Sequence, residues 1–273
     1  GGAGAQGACG GAVRGRVRNC IVLGCGRSGT SLVAGLLRDA GYRFGPDPLE
    51  PDASNPTGYF ESGEVNGVNE AILAEASLPW WLRPLSDRIG FRDAGDGLRW
   101  LNRIPAHWLL RADESEREAM RRLTREEPFC FKDPRFCYTL PCWAEVLRDP
   151  VVLYVVRHPL GVARSLVEHA RRRGYGERLG LDFEDALAVW RATNRYVLTR
   201  CYGGVGDWHV VRFRDCLAGP GVEVVEAALG VEAAREHVDP AAPREEPGEP
   251  VPESCRALHR VLEELAERAL RSP

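Results

Sequence analysis

The chain has 273 residues, 44% of them hydrophobic, and its 36 basic and 39 acidic side chains leave a net charge of −3. That much apolar material supports one good-sized core, so one α/β domain with an inserted lobe is expected over residues 19–273, rather than two independent domains. The charge balance gives no global pull towards nucleic acid or an anionic membrane, and no run of about eighteen apolar residues offers a bilayer span.

Nine cysteines lie at irregular spacings, several of them, such as Cys20, Cys130 and Cys201, inside apparent strands or helices. They lack the paired spacing of zinc ligands and read as buried reduced thiols, which points to a reducing compartment and a cytoplasmic location. Gly1 stands where Met would open a chain, which leaves an upstream anchor or signal open. Residues 1–18 are mostly Gly and Ala, without apolar periodicity, and are expected to be flexible.

From Asn19 the chain reads strand, glycine loop, helix. Ile21, Val22 and Leu23 form a short buried strand; Gly24, Gly26 and Gly29 supply a turn; Val33, Leu36, Leu37 and Ala40 then recur at helical spacing. Such a turn aims backbone N–H groups and the positive end of a helix dipole at one spot, which makes an anion site. The spacing nearly matches the nucleotide-binding P-loop, but Thr30 stands where its lysine belongs. An ordinary ATP or GTP hydrolase is thereby disfavoured. Arg27 supplies positive charge from inside the loop, and Ser28, Thr30 and Ser31 supply hydroxyl donors.

A loop rich in Pro, Asp and Gly, Tyr42 to Gly58, ends in Tyr59-Phe60-Glu61. Burial of two aromatics pins the carboxylate, so Glu61 is a candidate for return to the anion site; the plainer reading is a carboxylate at the start of the helix over Ser62–Ala76. The segment 62–127 reads as an insertion that builds the acceptor side, with helical stretches around Trp100–Leu110 and Glu114–Arg125 and with Trp80 and Trp81 as candidate pocket walls.

Phe129-Cys130-Phe131 is a second short strand ending in Lys132-Asp133-Pro134-Arg135, and Lys132 is the only lysine in the chain. Charged residues at a strand's carboxyl end lie where open α/β sheets place ligands. Lys132 is a compact cation suited to neutralising a leaving oxygen, with Asp133 to hold it or Arg135. After a helix over Tyr138–Arg148, Val151–Val156 is continuous apolar, as in a central parallel strand. It ends in Arg157-His158-Pro159, and Pro159 opens a helix carrying Ser165; Arg157 and Ser165 together form a grip for a second phosphate. No aspartate stands at that strand end to hold magnesium, and no metal is expected. Further on come a helix at Asp182–Cys201, a strand at Trp208–Phe213, a helix near Val222–Leu229, a linker at 239–252 and a closing amphipathic helix at Ser254–Leu270.

These motifs, in this order, resemble those of sulfotransferases that use 3′-phosphoadenosine 5′-phosphosulfate (PAPS). Gly24 to Ser31 resembles their 5′-phosphosulfate loop, and R-H-P-L-G-V-A-R-S at Arg157–Ser165 their 3′-phosphate motif. N-P-T-G-Y-F-E at Asn55–Glu61 and K-D-P-R at Lys132–Arg135 are similar to a bacterial-type branch. The resemblance covers Cys20 to about Gly219. It implies a P-loop-like, three-layer α/β fold with a mostly parallel sheet, and sulfuryl transfer from PAPS to a hydroxyl or amine of a small-molecule or glycan acceptor. By position, Arg27, Ser28, Gly29, Thr30 and Ser31 would hold the 5′-phosphosulfate, and Arg157 and Ser165 the 3′-phosphate. Arg27 stands where cytosolic relatives have lysine, and no histidine lies in a matching motif for a base. Glu61 is therefore the favoured base, with Glu64 and Glu50 as substitutes, and Lys132 and Arg27 are candidates for charge neutralisation. The alternatives are a P-loop small-molecule kinase, whose roles Lys132 and Asp133 would fill poorly, and a non-catalytic nucleotide-binding module. The sequence names neither the acceptor nor an oligomeric state.

Overall fold

The computed structural model describes residues 17–52, 55, 58–76, 85–235 and 250–271. Most of the Gly/Ala-rich start, Trp80 and Trp81, and most of the 239–252 linker lie outside the described residues.

Four parallel strands, β1 (Cys20–Leu23), β2 (Cys130–Lys132), β3 (Val151–Val156) and β4 (Asp207–Arg212), make one sheet in the order β2-β1-β3-β4. Cys20 pairs in register with Cys130 on one side and with Val151 on the other. The two inner strands, β1 and β3, carry continuous apolar runs because both faces of the sheet are covered. Alternate residues separate cleanly into two clusters, the mark of a three-layer domain. Ile21, Leu23, Val152 and Tyr154 pack against α2 (Gly63–Glu75), α5 (Phe136–Trp143), α6 (Pro159–Arg172) and α8 (Phe183–Tyr196). Cys20, Val22, Val151 and Leu153 face α1 (Thr30–Leu36) and α10 (Pro220–Leu229).

The helix that follows β1 lies on one face and the helix that follows β3 on the other, so the chain diverges between these two strands. Such a switch point leaves a crevice at the carboxyl ends of the strands, the general ligand position of open α/β sheets. α11 (Glu253–Arg271) closes the far edge, with Cys255, Leu262 and Ala266 in the core.

Three helices differ from the sequence reading: the one expected over Tyr138–Arg148 runs instead from Phe136 to Trp143. Over Trp100–Leu110 only a single 3-10 turn, Arg99–Leu101, is helical. Pro105 disfavours helical backbone at Ile104 and lacks an N–H, while Arg103 forms an antiparallel bridge with Arg92. The first helix stops at Leu36 and passes through turns to Gly41 rather than continuing to Ala40. Among the described residues eight cysteines are free, and all but the half-buried Cys142 are buried.

Candidate active site

The β1–α1 loop is shaped by its glycines. A Cβ on Gly24 would sit 2.4 Å from the Val155 carbonyl oxygen, and Gly29 has φ +97° with its α-hydrogen face against the Phe213 ring. Arg27 also adopts a positive φ, 70°, an unfavourable backbone state for a side chain of this size. Gly29 caps α1 without a side-chain hydrogen bond, and no acidic residue occupies the first turn, so the amino end of that helix carries no built-in anion.

Across the switch point, the Arg27 Nε donates to Ser165 Oγ at 3.1 Å, and Arg157 Nη1 donates to the Arg27 carbonyl at 3.3 Å. The Arg157 guanidinium lies 4.4 Å over the Phe213 ring, and Trp190 Nε1 fixes the Arg157 backbone oxygen at 3.1 Å. The two anion motifs therefore meet in one cluster. Burial lowers the Arg27 pKa, partly opposed by Tyr59 and Asp52 nearby, and no carboxylate lies within ion-pair distance of it among the described residues. A half-buried cation left without a counter-ion is costly unless an anion joins it.

On the β2 side, Lys132 is 2% exposed and donates to Ser31 Oγ at 3.1 Å and to Glu61 Oε1. Asn66 Nδ2 holds the other Glu61 oxygen at 2.6 Å, and Asn55 Nδ2 reaches Ser31 Oγ at 3.2 Å. Glu61 is returned to the loop by the turn at Phe60, whose φ is +54° and whose ring lies 5.5 Å from Phe44. Ser62, not Glu61, caps α2.

Behind Lys132, Asp133 is completely buried and accepts from Arg135 N (2.9 Å), Arg135 Nη1 (3.1 Å) and Asn69 Nδ2 (2.9 Å). Burial pushes its carboxyl above the usual range, against the pull of Arg135. Asn69 Oδ1 in turn takes hydrogen bonds from Thr139 Oγ1 (2.7 Å) and Trp143 Nε1 (2.8 Å). This satisfied network fixes the strand end from which Lys132 projects.

These groups open into a cavity of about 390 Å³, whose lining includes Arg27, Thr30, Ser31, Glu61, Asn66 and Lys132. Tyr59, Trp100, His169 and Tyr175 add aromatic rings to its wall, beside charged residues that include Glu50, Asp52 and Arg135. Burial, followed by the neighbouring Arg27, lowers the His169 pKa to about 4, so the imidazole is neutral at pH 7.

Residues 20–232 match the profile of the Sulfotransferase family. The chain belongs to this family. None of the curated protein sequences compared is significantly similar. Three solved structures of low identity are similar in fold. The sulfotransferase domain from the curacin biosynthetic pathway is 15% identical, with 91% of this chain and 98% of that chain covered and a TM-score of 0.49. The sulfotransferase domain of the Synechococcus PCC 7002 olefin synthase is 18% identical, with 93% and 87% covered and a TM-score of 0.43. A sulfotransferase from Alicyclobacillus acidocaldarius is 16% identical, with 94% and 96% covered and a TM-score of 0.45.

Around this cavity the sequence-predicted residues fall into distinct positions. Arg27, Ser31, Glu61 and Lys132 face the cavity, and Arg157 and Ser165 adjoin Arg27. Ser28 turns inward, its Oγ donating to the Cys25 carbonyl at 2.6 Å, so it supports the loop in this conformation. Glu50 lines the cavity, whereas Glu64 pairs with Arg122 at 2.6 Å on the surface and leaves the site. Sequence reasoning missed Asn66, Trp100, His169 and Tyr175. His169 carried a signal, since it stands one helical turn beyond Ser165 on the same face of α6. Asn66 carried one too, lying in the first turns of the helix that starts after Glu61.

Proposed function

We propose that the protein transfers a sulfuryl group from PAPS to a hydroxyl or amine of an acceptor held in the cavity beside Glu61. The observation that carries this reading is the Arg27 guanidinium, which has no carboxylate within ion-pair distance among the described residues and is set between the α1 amino end and Ser165 with Arg157 against its carbonyl. Arg27, Gly29, Thr30 and Ser31 are assigned to the 5′-phosphosulfate, with Ser28 shaping the loop, and Arg157 and Ser165 to the 3′-phosphate. PAPS supplies a sulfuryl group on a phosphate leaving group.

The side chains then have separable roles. An ammonium has three donors, and Lys132 spends two of them on Ser31 and Glu61. The third is left for the oxygen that bridges sulfur and phosphate, where negative charge grows as that bond breaks. Glu61 accepts the acceptor proton as the new oxygen–sulfur bond forms opposite the breaking one. Asn66 keeps the carboxylate in place when Lys132 turns towards the donor.

Calorimetric titration with 3′-phosphoadenosine 5′-phosphate and with ATP, each with and without magnesium, tests the donor assignment. Binding of the former in the absence of metal is expected, followed by label transfer from PAPS to an acceptor. Tight binding of ATP only with magnesium would replace this reading by the kinase one.

A further inference from the structure

The glycines of the β1–α1 loop are required for different reasons, and one of them points to a residue far away in the chain. Gly24 faces a backbone carbonyl and Gly29 has a positive φ. Gly26 has neither restriction: a Cβ there would lie 2.3 Å from Cζ3 and 2.4 Å from Cε3 of the Trp100 ring. Glycine at this position is therefore the seat of an indole. Gly26 directly precedes Arg27, whose positive φ persists only where its surroundings hold it. Ser165 and Arg157 hold Arg27 through its side chain and its carbonyl, and Trp100 holds the residue before it.

Trp100 itself stands on a braced turn. Its neighbour Arg99 is 9% exposed and donates through Nη1 to Glu70 Oε1 at 3.1 Å, and Gly97 N donates to the same oxygen at 2.8 Å. The other Glu70 oxygen takes Arg135 Nε at 2.5 Å, and Arg135 Nη2 reaches the Gly97 carbonyl at 3.2 Å. Arg135 is tied in turn to Asp133, the residue after Lys132. Glu70 thereby fastens the turn that carries Trp100 to the strand end that carries Lys132, in a network that resists local movement. The indole also meets His169 of α6 in a T-shaped contact, with 6.0 Å between ring centroids.

We propose that Trp100 is a positioning residue for the donor. Its ring, on a turn fastened to the Lys132 strand end, holds Gly26 and Arg27 so that the Arg27 guanidinium faces the 5′-phosphosulfate at a set distance from Lys132. The contribution is pre-organisation of the anion loop, not a contact with the reacting atoms. The segment expected to build the acceptor side thus also holds the donor side. This assignment rests on the donor reading above and extends it beyond the loop motif.

Binding of 3′-phosphoadenosine 5′-phosphate to the wild-type protein is measured first, because its absence removes the donor reading, whereas the hold of Trp100 on the loop is read without ligand. In Trp100→Ala, calorimetry should show this nucleotide weakened at least about tenfold, and adenosine 3′-phosphate, which lacks the 5′ group, weakened much less. A purely structural role would lower stability and leave the ratio of the two affinities intact. Gly26→Ala should weaken 3′-phosphoadenosine 5′-phosphate in the wild-type background and add little in Trp100→Ala, where the ring that the new Cβ strikes is gone. Without ligand, the Ser28 amide, which donates to the Cys25 carbonyl at 2.9 Å, should exchange its hydrogen at least about tenfold faster in Trp100→Ala, with the β3 amides unchanged. Trp100→Leu serves in the same measurements where the alanine variant does not fold. Equal weakening of the two nucleotides would overturn the proposal. So would an equal cost of Gly26→Ala in both backgrounds, or unchanged exchange at Ser28.

Discussion

Arg27 Nε and Ser165 Oγ, 138 residues apart in sequence, lie 3.1 Å from each other. The bond joins the loop after β1 to the helix after β3, across the point where the chain diverges to opposite faces of the sheet. The two motifs expected to hold anions, on neighbouring strand ends, thereby meet in a single crevice. A ligand with phosphates or sulfates at both ends spans such a crevice; a ligand with one anionic end does not use all of it.

The first prediction follows from that span. Arg157→Ala should weaken 3′-phosphoadenosine 5′-phosphate on the order of 1.5–3 kcal/mol, the worth of one charge-assisted hydrogen bond. Adenosine 5′-phosphosulfate, which lacks the 3′-phosphate, should be nearly indifferent to the change. Calorimetry on both ligands decides it, and an equal loss for the two would remove Arg157 from the 3′ position.

A second prediction concerns the buried pair of Lys132 and Glu61, which are 2% and 8% exposed. Removing one partner leaves an uncompensated buried charge, with a cost of about 3–5 kcal/mol. Lys132→Met should therefore destabilise the fold, and adding Glu61→Gln should recover much of the loss. Urea unfolding of the two single variants and the double variant closes the cycle. A double variant no more stable than Lys132→Met would mean that the pair is not coupled in solution. In the transfer assay, Lys132→Ala should lower kcat more than it raises the donor KM.

The sheet and the loop were legible because their signals are local. Ile21, Val22 and Leu23 lead directly into Gly24, and the Val151–Val156 run ends directly in Arg157. Glu61 and Lys132 were legible as candidates, but their contact was not, since 71 positions separate them. Trp100 shows what sequence periodicity hides. It reads as one residue of an apolar helix, yet a Cβ on Gly26 would lie 2.3 Å from its ring, so its place is set by packing on the loop. The break at Pro105 was visible in the sequence, and the helical spacing of the neighbouring apolar residues overrode it. Tyr175 had no signal at all; its place on the cavity wall exists only in the folded arrangement.

The third prediction is a pH dependence from His169. Its folded pKa, about 4, lies below the ordinary histidine value of about 6.5, chiefly because burial disfavours the imidazolium, with Arg27, Arg173 and Arg172 adding repulsion and Asp52 opposing them. The unfolded chain then binds more protons than the folded one between those two values, so stability rises with pH across the window. The contribution is present above about pH 6.5 and is lost as the pH falls towards 4. His169→Gln should reduce the loss of urea resistance between pH 7 and pH 5 relative to wild type. Parallel curves for the two proteins would show that His169 titrates normally in the fold.

The last prediction separates binding from chemistry at Glu61. A neutral hydroxyl attacks sulfur poorly, and a positioned base contributes roughly 10²–10⁴-fold by removing its proton as bonding develops. Glu61 has the position for this role: it is buried, held through one oxygen by Asn66 at 2.6 Å, and set beside the lysine assigned to the leaving phosphate. Glu61→Gln keeps the shape and the amide contact distance but removes the basicity. Affinity for 3′-phosphoadenosine 5′-phosphate should persist, because the phosphate contacts assigned to Arg27, Arg157 and Ser165 do not involve Glu61. Turnover of an acceptor should fall by the factor above, with the acceptor KM changed less than kcat. Glu64 is tied to Arg122 on the surface and offers no replacement, so its glutamine variant serves as the control and should turn over normally. Normal turnover in Glu61→Gln would make this carboxylate a structural partner of Lys132 and transfer the search for a base to Glu50, the other glutamate on the cavity wall.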